Sequence, residues 1–177
     1  MMFSRLLIVV LLSVTTGCSA VSSSHSVSRT GKNMSSKAAG ILRNGTRVEV
    51  FRIATRGDAN RSAPQGSKKE RILHHIVTAQ QKDQGEQFAK ELADILLDDT
   101  DYPGIKCFDP GVGFRVWSGQ ESVEILICFS CDNYYCGFPD DPSMLTSSFH
   151  GSPLRPNLVR LVKRAYPDDK EIQGLKE

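Results

Sequence analysis

Two apolar segments joined by a short polar turn constrain the fold of this chain more than any other feature. Residues 112–117 (VGFRVW) and 122–129 (SVEILICF) are rich in β-branched and aromatic residues, as strands are. Folding the chain back between them places Arg115 opposite Glu124, so that opposite charges face each other across the pair. The sequence therefore predicts an antiparallel hairpin, and the rest of the fold must be built around it.

Other segments extend this sheet and cover it. Residues 48–53 and 72–78 favour strands, and residues 133–136 favour a short third strand beside the hairpin. Apolar residues recur with helical spacing over 83–97 and 153–165. The order of elements predicts an α+β fold, a two-layer sandwich in which a small antiparallel or mixed sheet carries two helices on one face.

The chain of 177 residues has the length of a single domain. We expect one globular α+β domain over residues 46–167, with a loop from 139 to 153. The segment 18–45 before it is Ser-rich and polar, and it is interpreted as a flexible tether. The charged tail 168–177 is expected to fray.

The first residues have the pattern of an export signal. Arg5 precedes the apolar run Leu6–Leu12, which is too short to cross a bilayer as a helix. The segment Val14–Cys18 (VTTGC) then resembles the lipobox of bacterial lipoproteins. An alternative cleavage site for ordinary export lies after Ala20, which follows the small-x-small pattern.

The lipoprotein resemblance implies what happens to these residues. Residues 1–17 would be removed as the signal peptide, and Cys18 would carry a lipid, a diacylglycerol on its thiol. The membrane would then be the partner of the chain through this anchor, and the protein would belong to the cell envelope. In a host with two membranes, Ser19 resembles the signal for the periplasmic side of the outer membrane.

Four further cysteines cluster in the second half of the chain, namely Cys107, Cys128, Cys131 and Cys136. An even number of cysteines in an exported protein suggests disulfide bonds. Four cysteines allow three pairings, and the sequence does not choose among them. A bridge from Cys107 to Cys128 or Cys131 requires a bend at residues 109–111 (DPG), which that sequence permits.

Two other chemistries are open to the same cluster. The pair Cys128 and Cys131 has the Cys-x-x-Cys spacing of thiol–disulfide oxidoreductases, although no helix pattern follows it to lower a thiol pKa. A structural zinc site within Cys107–Cys136 is the second alternative, since two residues separate the central pair.

The remaining sequence predicts no active site. The chain has 22 basic and 20 acidic residues, a net charge of +2. Its overall charge therefore gives no reason to expect binding to nucleic acid. No phosphate-binding loop, nucleophile elbow or HExxH pattern occurs, and we expect neither a cofactor nor a catalytic residue. The adjacent pair His74 and His75 points to opposite faces of a predicted strand, and His150 has no acidic or cysteine partner nearby in sequence.

A second resemblance covers roughly Lys106 to Cys131. The segment Cys107–Gly111 (CFDPG), the apolar hairpin and the segment Cys128–Cys131 (CFSC) resemble a family of uncharacterised bacterial exported proteins of unknown function. This resemblance implies no catalytic residue. The sequence therefore predicts a lipid-anchored envelope protein with a binding or structural role.

Overall fold

The computed structural model describes residues 34–54, 71–81, 83–97 and 109–177. The predicted signal peptide, Cys18 and Cys107 lie outside these ranges, and so do most residues of the predicted tether. Within the described ranges, no helix is long and apolar enough to cross a membrane.

Four helices and seven strands make up the described part of the chain. In chain order they are α1 (Ser36–Arg43), β1 (Arg47–Ile53), β2 (Arg71–Ile72), β3 (His75–Gln81), α2 (Gly85–Leu97), β4 (Val112–Ser118), β5 (Glu121–Cys128), β6 (Asn133–Phe138), β7 (Asp141–Ser148), α3 (Leu154–Ala165) and α4 (Lys170–Gln173).

The seven described strands form one sheet in the order β2-β3-β1-β4-β5-β6-β7, and every neighbouring pair is antiparallel. The predicted hairpin is confirmed as β4 and β5, with Arg115 opposite Glu124. The predicted short strand near residue 133 is confirmed as β6, which pairs with β5. The central part of the sheet therefore follows directly from local sequence.

The sheet is larger than the sequence predicted, because two predictions were wrong at its edges. The expected loop 139–153 contains β7, an edge strand within the described sheet. The expected single strand 72–78 is instead a tight hairpin of β2 and β3. Its turn residues Leu73 and His74 have positive φ values of 42° and 68°. Glycine is the usual residue at turn positions with positive φ.

The turn between β2 and β3 is held in place by a distant strand. The backbone N–H of Leu73 donates to Oε2 of Glu124 at 2.7 Å, and Leu73 is buried. Since β2 lies at one edge and Glu124 on β5, the sheet must curl to bring them together. The face enclosed by this curl packs Phe51, Ile53 and Leu126 around the turn.

The opposite face of the sheet packs against the helices and forms the main core. Helices α1, α2 and α3 contribute apolar side chains to it, and the sheet contributes the alternate residues of β1, β4 and β5. Ile125, Leu126 and Ile127 are all fully buried, because successive side chains enter the two different cores. Burial on both faces explains the continuous apolar run that made β5 recognisable in the sequence.

The ordered structure also extends past the predicted domain limits. Helix α1 lies inside the segment assigned to the tether, and its Ala38 and Leu42 are buried in the main core. Helix α4 lies inside the predicted tail, where Asp169 caps its N-terminus and Ile172 is buried. Both helices are short, with eight and four residues, so the few apolar residues that anchor them gave a weak periodic signal.

The fold is thus mixed α+β, as predicted, but it is not a small sheet with two helices. Seven strands in place of about five allow the described sheet to curl and to bury two separate clusters. The additional helices α1 and α4 cover edges of the main core that two helices leave open.

A buried ionic network links strands across the curled face. Arg115 Nη2 lies 2.7 Å from Glu124 Oε1, and its Nη1 lies 3.3 Å from Glu49 Oε2. The Glu124 side chain is 2% exposed, so water cannot hydrogen-bond to its carboxylate. Arg115 and the Leu73 N–H supply these hydrogen bonds instead. Trp117 Nε1 donates to the same Glu49 oxygen at 3.2 Å, which completes the network.

We expect Glu124→Gln to lower the free energy of unfolding by about 1–3 kcal/mol. The amide keeps the shape of the side chain, but it removes the charge that satisfies Arg115. Urea unfolding at neutral pH, followed by circular dichroism, measures the change. An unfolding midpoint equal to that of the unsubstituted protein would contradict the role given to this carboxylate.

Glu91→Gln is the matched control. Glu91 lies on the surface of α2 and pairs with Arg164 of α3 at 2.6 Å, with both side chains at least one third exposed. The Arg164 hydrogen bond lowers the pKa of Glu91, so this pair stabilises the fold above the unfolded pKa and is lost in acid. We expect Glu91→Gln to cost less than about 1 kcal/mol at neutral pH and nothing in acid.

Candidate functional site

The Cys-x-x-Cys segment forms the tight turn between β5 and β6. Cys128 is the last residue of β5 and pairs with Asn133, the first residue of β6. Residues 129–132 make the connection, and Asp132 completes it with a φ of 52°, in the left-handed region. Because both ends are fixed by strand pairing, the turn holds its side chains in one place.

The two sulfurs of this turn are close but are not bonded to each other. Cys128 Sγ lies 2.8 Å from Cys131 Sγ, a longer separation than the roughly 2.05 Å of a disulfide. Among the described residues, Cys128 and Cys136 are free thiols.

Two polar groups lie beside the free thiol of Cys128. The backbone N–H of Asp109 donates to Cys128 Sγ at 3.5 Å, and Ser130 Oγ lies 3.2 Å from the same sulfur. Ser130 Oγ also lies 3.7 Å from Cys131 Sγ, so that it is next to both sulfurs. Cys128 is fully buried, whereas Ser130 is exposed.

A clamp from helix α3 fixes the turn from outside. Arg155 Nη1 donates to the backbone carbonyl of Phe129 at 2.7 Å and forms an ion pair with Asp132. The other carboxylate oxygen of Asp132 lies 3.1 Å from His150 Nδ1, and Ser148 Oγ donates to the Asp132 carbonyl at 3.0 Å. These contacts tie the start of α3 and the end of β7 to the cysteine turn.

Sequence reasoning missed this clamp because its partners are far apart in the chain. His150 has no acidic partner nearby in sequence, and the one that it meets in the fold, Asp132, is 18 positions away. Arg155 on α3 meets Asp132 from 23 positions away. The other two arginines of this helix also pair with acidic side chains, Arg160 with Glu177 and Arg164 with Glu91.

A cleft opens beside the turn. Its volume is about 270 Å³, and its lining combines apolar and charged groups: Arg52, Asp109, Gly111, Val112, Phe129, Ser130, Glu171, Ile172 and Leu175. The Arg52 guanidinium donates to the Gly111 carbonyl at 2.8 Å and pairs with Asp169 at 3.0 Å and with Glu171 at 2.5 Å. Arg52 therefore joins β1 to α4 and forms a rigid wall of the cleft.

Cys136 does not belong to this site. It lies three residues past Asn133 on β6 and points to the helix side of the sheet, where it is part of the main core. Cys128 pairs with Asn133 and points to the other side. Hence Cys136 cannot share one metal ion with Cys128, and a four-cysteine zinc site does not fit the sheet. Among the described residues, no group of three or more metal-ligating side chains comes together.

The setting of the turn also differs from that of Cys-x-x-Cys oxidoreductases. Those proteins place the first cysteine at the N-terminus of a helix, whose dipole stabilises the thiolate. Here Cys131 is followed by strand β6, and the Cys128 sulfur contacts the Asp109 N–H and the Ser130 hydroxyl in place of a helix N-terminus.

Comparison with known proteins adds no assignment. No family model matches the chain, and no curated protein or solved structure is significantly similar to it. The chemistry of this site must therefore be argued from its own geometry.

We expect the Cys136 thiol to resist alkylation in the folded protein. Burial raises its pKa to about 12, so the reactive thiolate is scarce at neutral or mildly alkaline pH. Iodoacetamide labelling followed by mass spectrometry should modify Cys136 only after the chain is unfolded in urea. Rapid labelling of Cys136 in the folded protein would contradict its placement in the core.

Proposed function

We propose that this chain is a lipoprotein of the bacterial cell envelope, anchored by a lipid on Cys18, with a folded domain that has a binding role. The anchor is supported by the lipobox-like segment before Cys18 and the Ser-rich residues after it. Helix α1 begins at Ser36, 18 residues after Cys18. A flexible linker of that length has a root-mean-square span of about 20–25 Å, enough to hold a domain clear of lipid headgroups.

The cleft beside the cysteine turn is the observation that carries the binding role. Ligand sites are concave, with an apolar lining and a few convergent polar groups. Here Phe129 and Ile172 supply apolar surface, while Ser130 and Asp109 supply polar groups. The positive charge of Arg52 is already paired with two acidic side chains, so the cleft favours a small ligand that carries hydrogen-bond donors.

We propose in addition a disulfide bond between Cys107 and Cys131, because Cys128 and Cys136 are free thiols and Cys18 would carry the lipid. A disulfide on the turn that lines the cleft would stabilise the site in an oxidising compartment. In a host with two membranes, we place the domain on the periplasmic side of the outer membrane.

The anchor is tested by Cys18→Ala in a bacterial host fed with a labelled fatty acid. We expect the substitution to abolish lipid labelling and to move the protein from the membrane fraction, because the thiol is the acceptor. Cys136→Ala is the control and should keep the label. Labelling that persists in Cys18→Ala would overturn the lipoprotein assignment and would leave the cleft unaffected.

The cleft is tested with a bulky substitution at its rim. We expect Ser130→Trp to fill it, whereas Ser36→Trp, at an exposed residue on the first turn of α1, leaves it open. Thermal unfolding of the full chain would be measured with amino acids, amines and small sugars as probes. A ligand at ten times its Kd stabilises the fold by about 1.4 kcal/mol, or about 3–6 °C.

A shift that is present in the unsubstituted protein and in Ser36→Trp but lost in Ser130→Trp supports binding in the cleft. A shift that survives in Ser130→Trp places the ligand elsewhere. If none of the probes shifts the transition, the small-ligand proposal fails, and a structural role for the domain is favoured.

A further inference from the structure

One wall of the cleft beside the cysteine turn is a short segment at the end of the described chain. Residues 170–177, which we call the strap, comprise α4 and the four residues that follow it. The strap contributes Glu171, Ile172 and Leu175 to the lining of the cleft. The other lining residues belong to β1, to residues 109–112 and to the cysteine turn. The cleft therefore loses one side when the strap moves away.

Ion pairs at the surface join the strap to its neighbours. Arg52 Nη2 lies 2.5 Å from Glu171 Oε2, and Arg160 Nη1 lies 3.0 Å from Glu177 Oε2. The Glu171 and Glu177 side chains are 71% and 47% exposed, so dissolved ions can approach both pairs. Salt screens exposed pairs of this kind much more than buried ones. The attachment of the strap should therefore weaken as the ionic strength rises.

Hydrogen bonds to backbone carbonyls determine where the strap lies when it is attached. The side-chain amide of Gln173 donates to the carbonyls of Lys163 and Tyr166, each at 2.9 Å. Arg155 Nε donates to the Lys176 carbonyl at 3.1 Å, while Nη1 of the same side chain donates to the cysteine turn. Arg155 thus positions two walls of the cleft relative to each other.

Little apolar surface holds the strap against the domain. Of the eight strap residues, all of them described, Ile172 alone is buried, and Leu175 is half-buried. Helix α4 has only four residues, and a helix of one turn is not stable without tertiary contacts. Keeping the strap in place also costs conformational entropy at every residue. Segments with few buried contacts and exposed polar attachments are the ones that open locally while the rest of a fold stays intact.

We propose that the strap opens and closes as a unit on the folded domain, and that ionic strength sets the balance between its two positions. The functional meaning of this movement rests on the proposed binding role of the cleft. The closed strap completes the cleft, whereas the open strap takes Ile172 and Leu175 out of its lining. A ligand that contacts these side chains binds the closed form and stabilises it, so salt weakens ligand binding by favouring the open form.

The test is hydrogen–deuterium exchange of the full chain without ligand, followed by mass spectrometry, in about 20 mM and about 500 mM sodium chloride. The amides of Gln173, Gly174 and Leu175 donate to backbone carbonyls in the closed strap, so their exchange reports its opening. We expect them to exchange faster than the amides of α3 in both solutions. At the higher salt they should exchange about two- to tenfold faster still, the change expected when exposed ion pairs are screened, while the amides of α3 keep their rate.

Three variants sharpen the result. Glu171→Gln removes the charge that faces Arg52 and should speed strap exchange about two- to fivefold in low salt, with a smaller effect in high salt. Glu91→Gln is the matched control, because it removes an exposed ion pair between α2 and α3 and should leave strap exchange unchanged. Ile172→Ala removes the buried anchor, so the strap amides should lose most of their protection while those of α3 keep theirs. Protection of α3 shows that each variant is folded.

The proposal is overturned if the strap amides of the unsubstituted chain exchange no faster than those of α3, because the strap would then open only when the whole domain unfolds. It is equally overturned if these amides are unprotected in both solutions, or if their exchange responds neither to salt nor to Glu171→Gln. None of these outcomes involves a ligand. Failure of the strap is therefore distinguishable from failure of the binding role, which is tested by the thermal unfolding of the chain with its probes.

Discussion

The buried carboxylate of Glu124 holds the curled sheet together. It lies on β5 in the middle of the sheet, where it accepts from Arg115 of β4 and from the Leu73 N–H of the edge hairpin. A charge that is 2% exposed must be satisfied by such partners, since water cannot reach it. The edge hairpin therefore lies over the central strands. The hairpin and these strands enclose the second, smaller core between them.

The position of the cysteine turn follows from the same arrangement. Strand β5 passes through the centre of the sheet and ends at Cys128, and β6 returns directly beside it. The turn between them therefore lies at the rim of the curled face, where α4 and the start of β4 form a cleft. Arg155 holds this turn through an ion pair with Asp132 and a hydrogen bond to the Phe129 carbonyl. Arg155 belongs to α3, which packs on the face of the sheet that forms the main core.

Sequence reasoning succeeded where the decisive contacts are local. The register of β4 and β5 was correct because a four-residue turn leaves the opposite charges of Arg115 and Glu124 one natural alignment. It failed for β7, a described edge strand that contains Pro142, since proline weakens the strand signal and is tolerated only at such edges. It also failed at Leu73 and His74, where residues without turn preference adopt positive φ because Glu124 and the small core stabilise them.

By itself, the sequence determined the central antiparallel hairpin, the two long helices and the close spacing of the cysteines, because each depends on residues near one another in the chain. Only the tertiary structure decided which of the described cysteines lie next to each other. Strand alternation sends Cys136 into the main core and Cys128 to the opposite side, and the turn brings Cys128 to within 2.8 Å of Cys131. It also joined Asp132 to His150 and Arg155, since partners separated by 18 and 23 positions meet only when the sheet and helix α3 are packed.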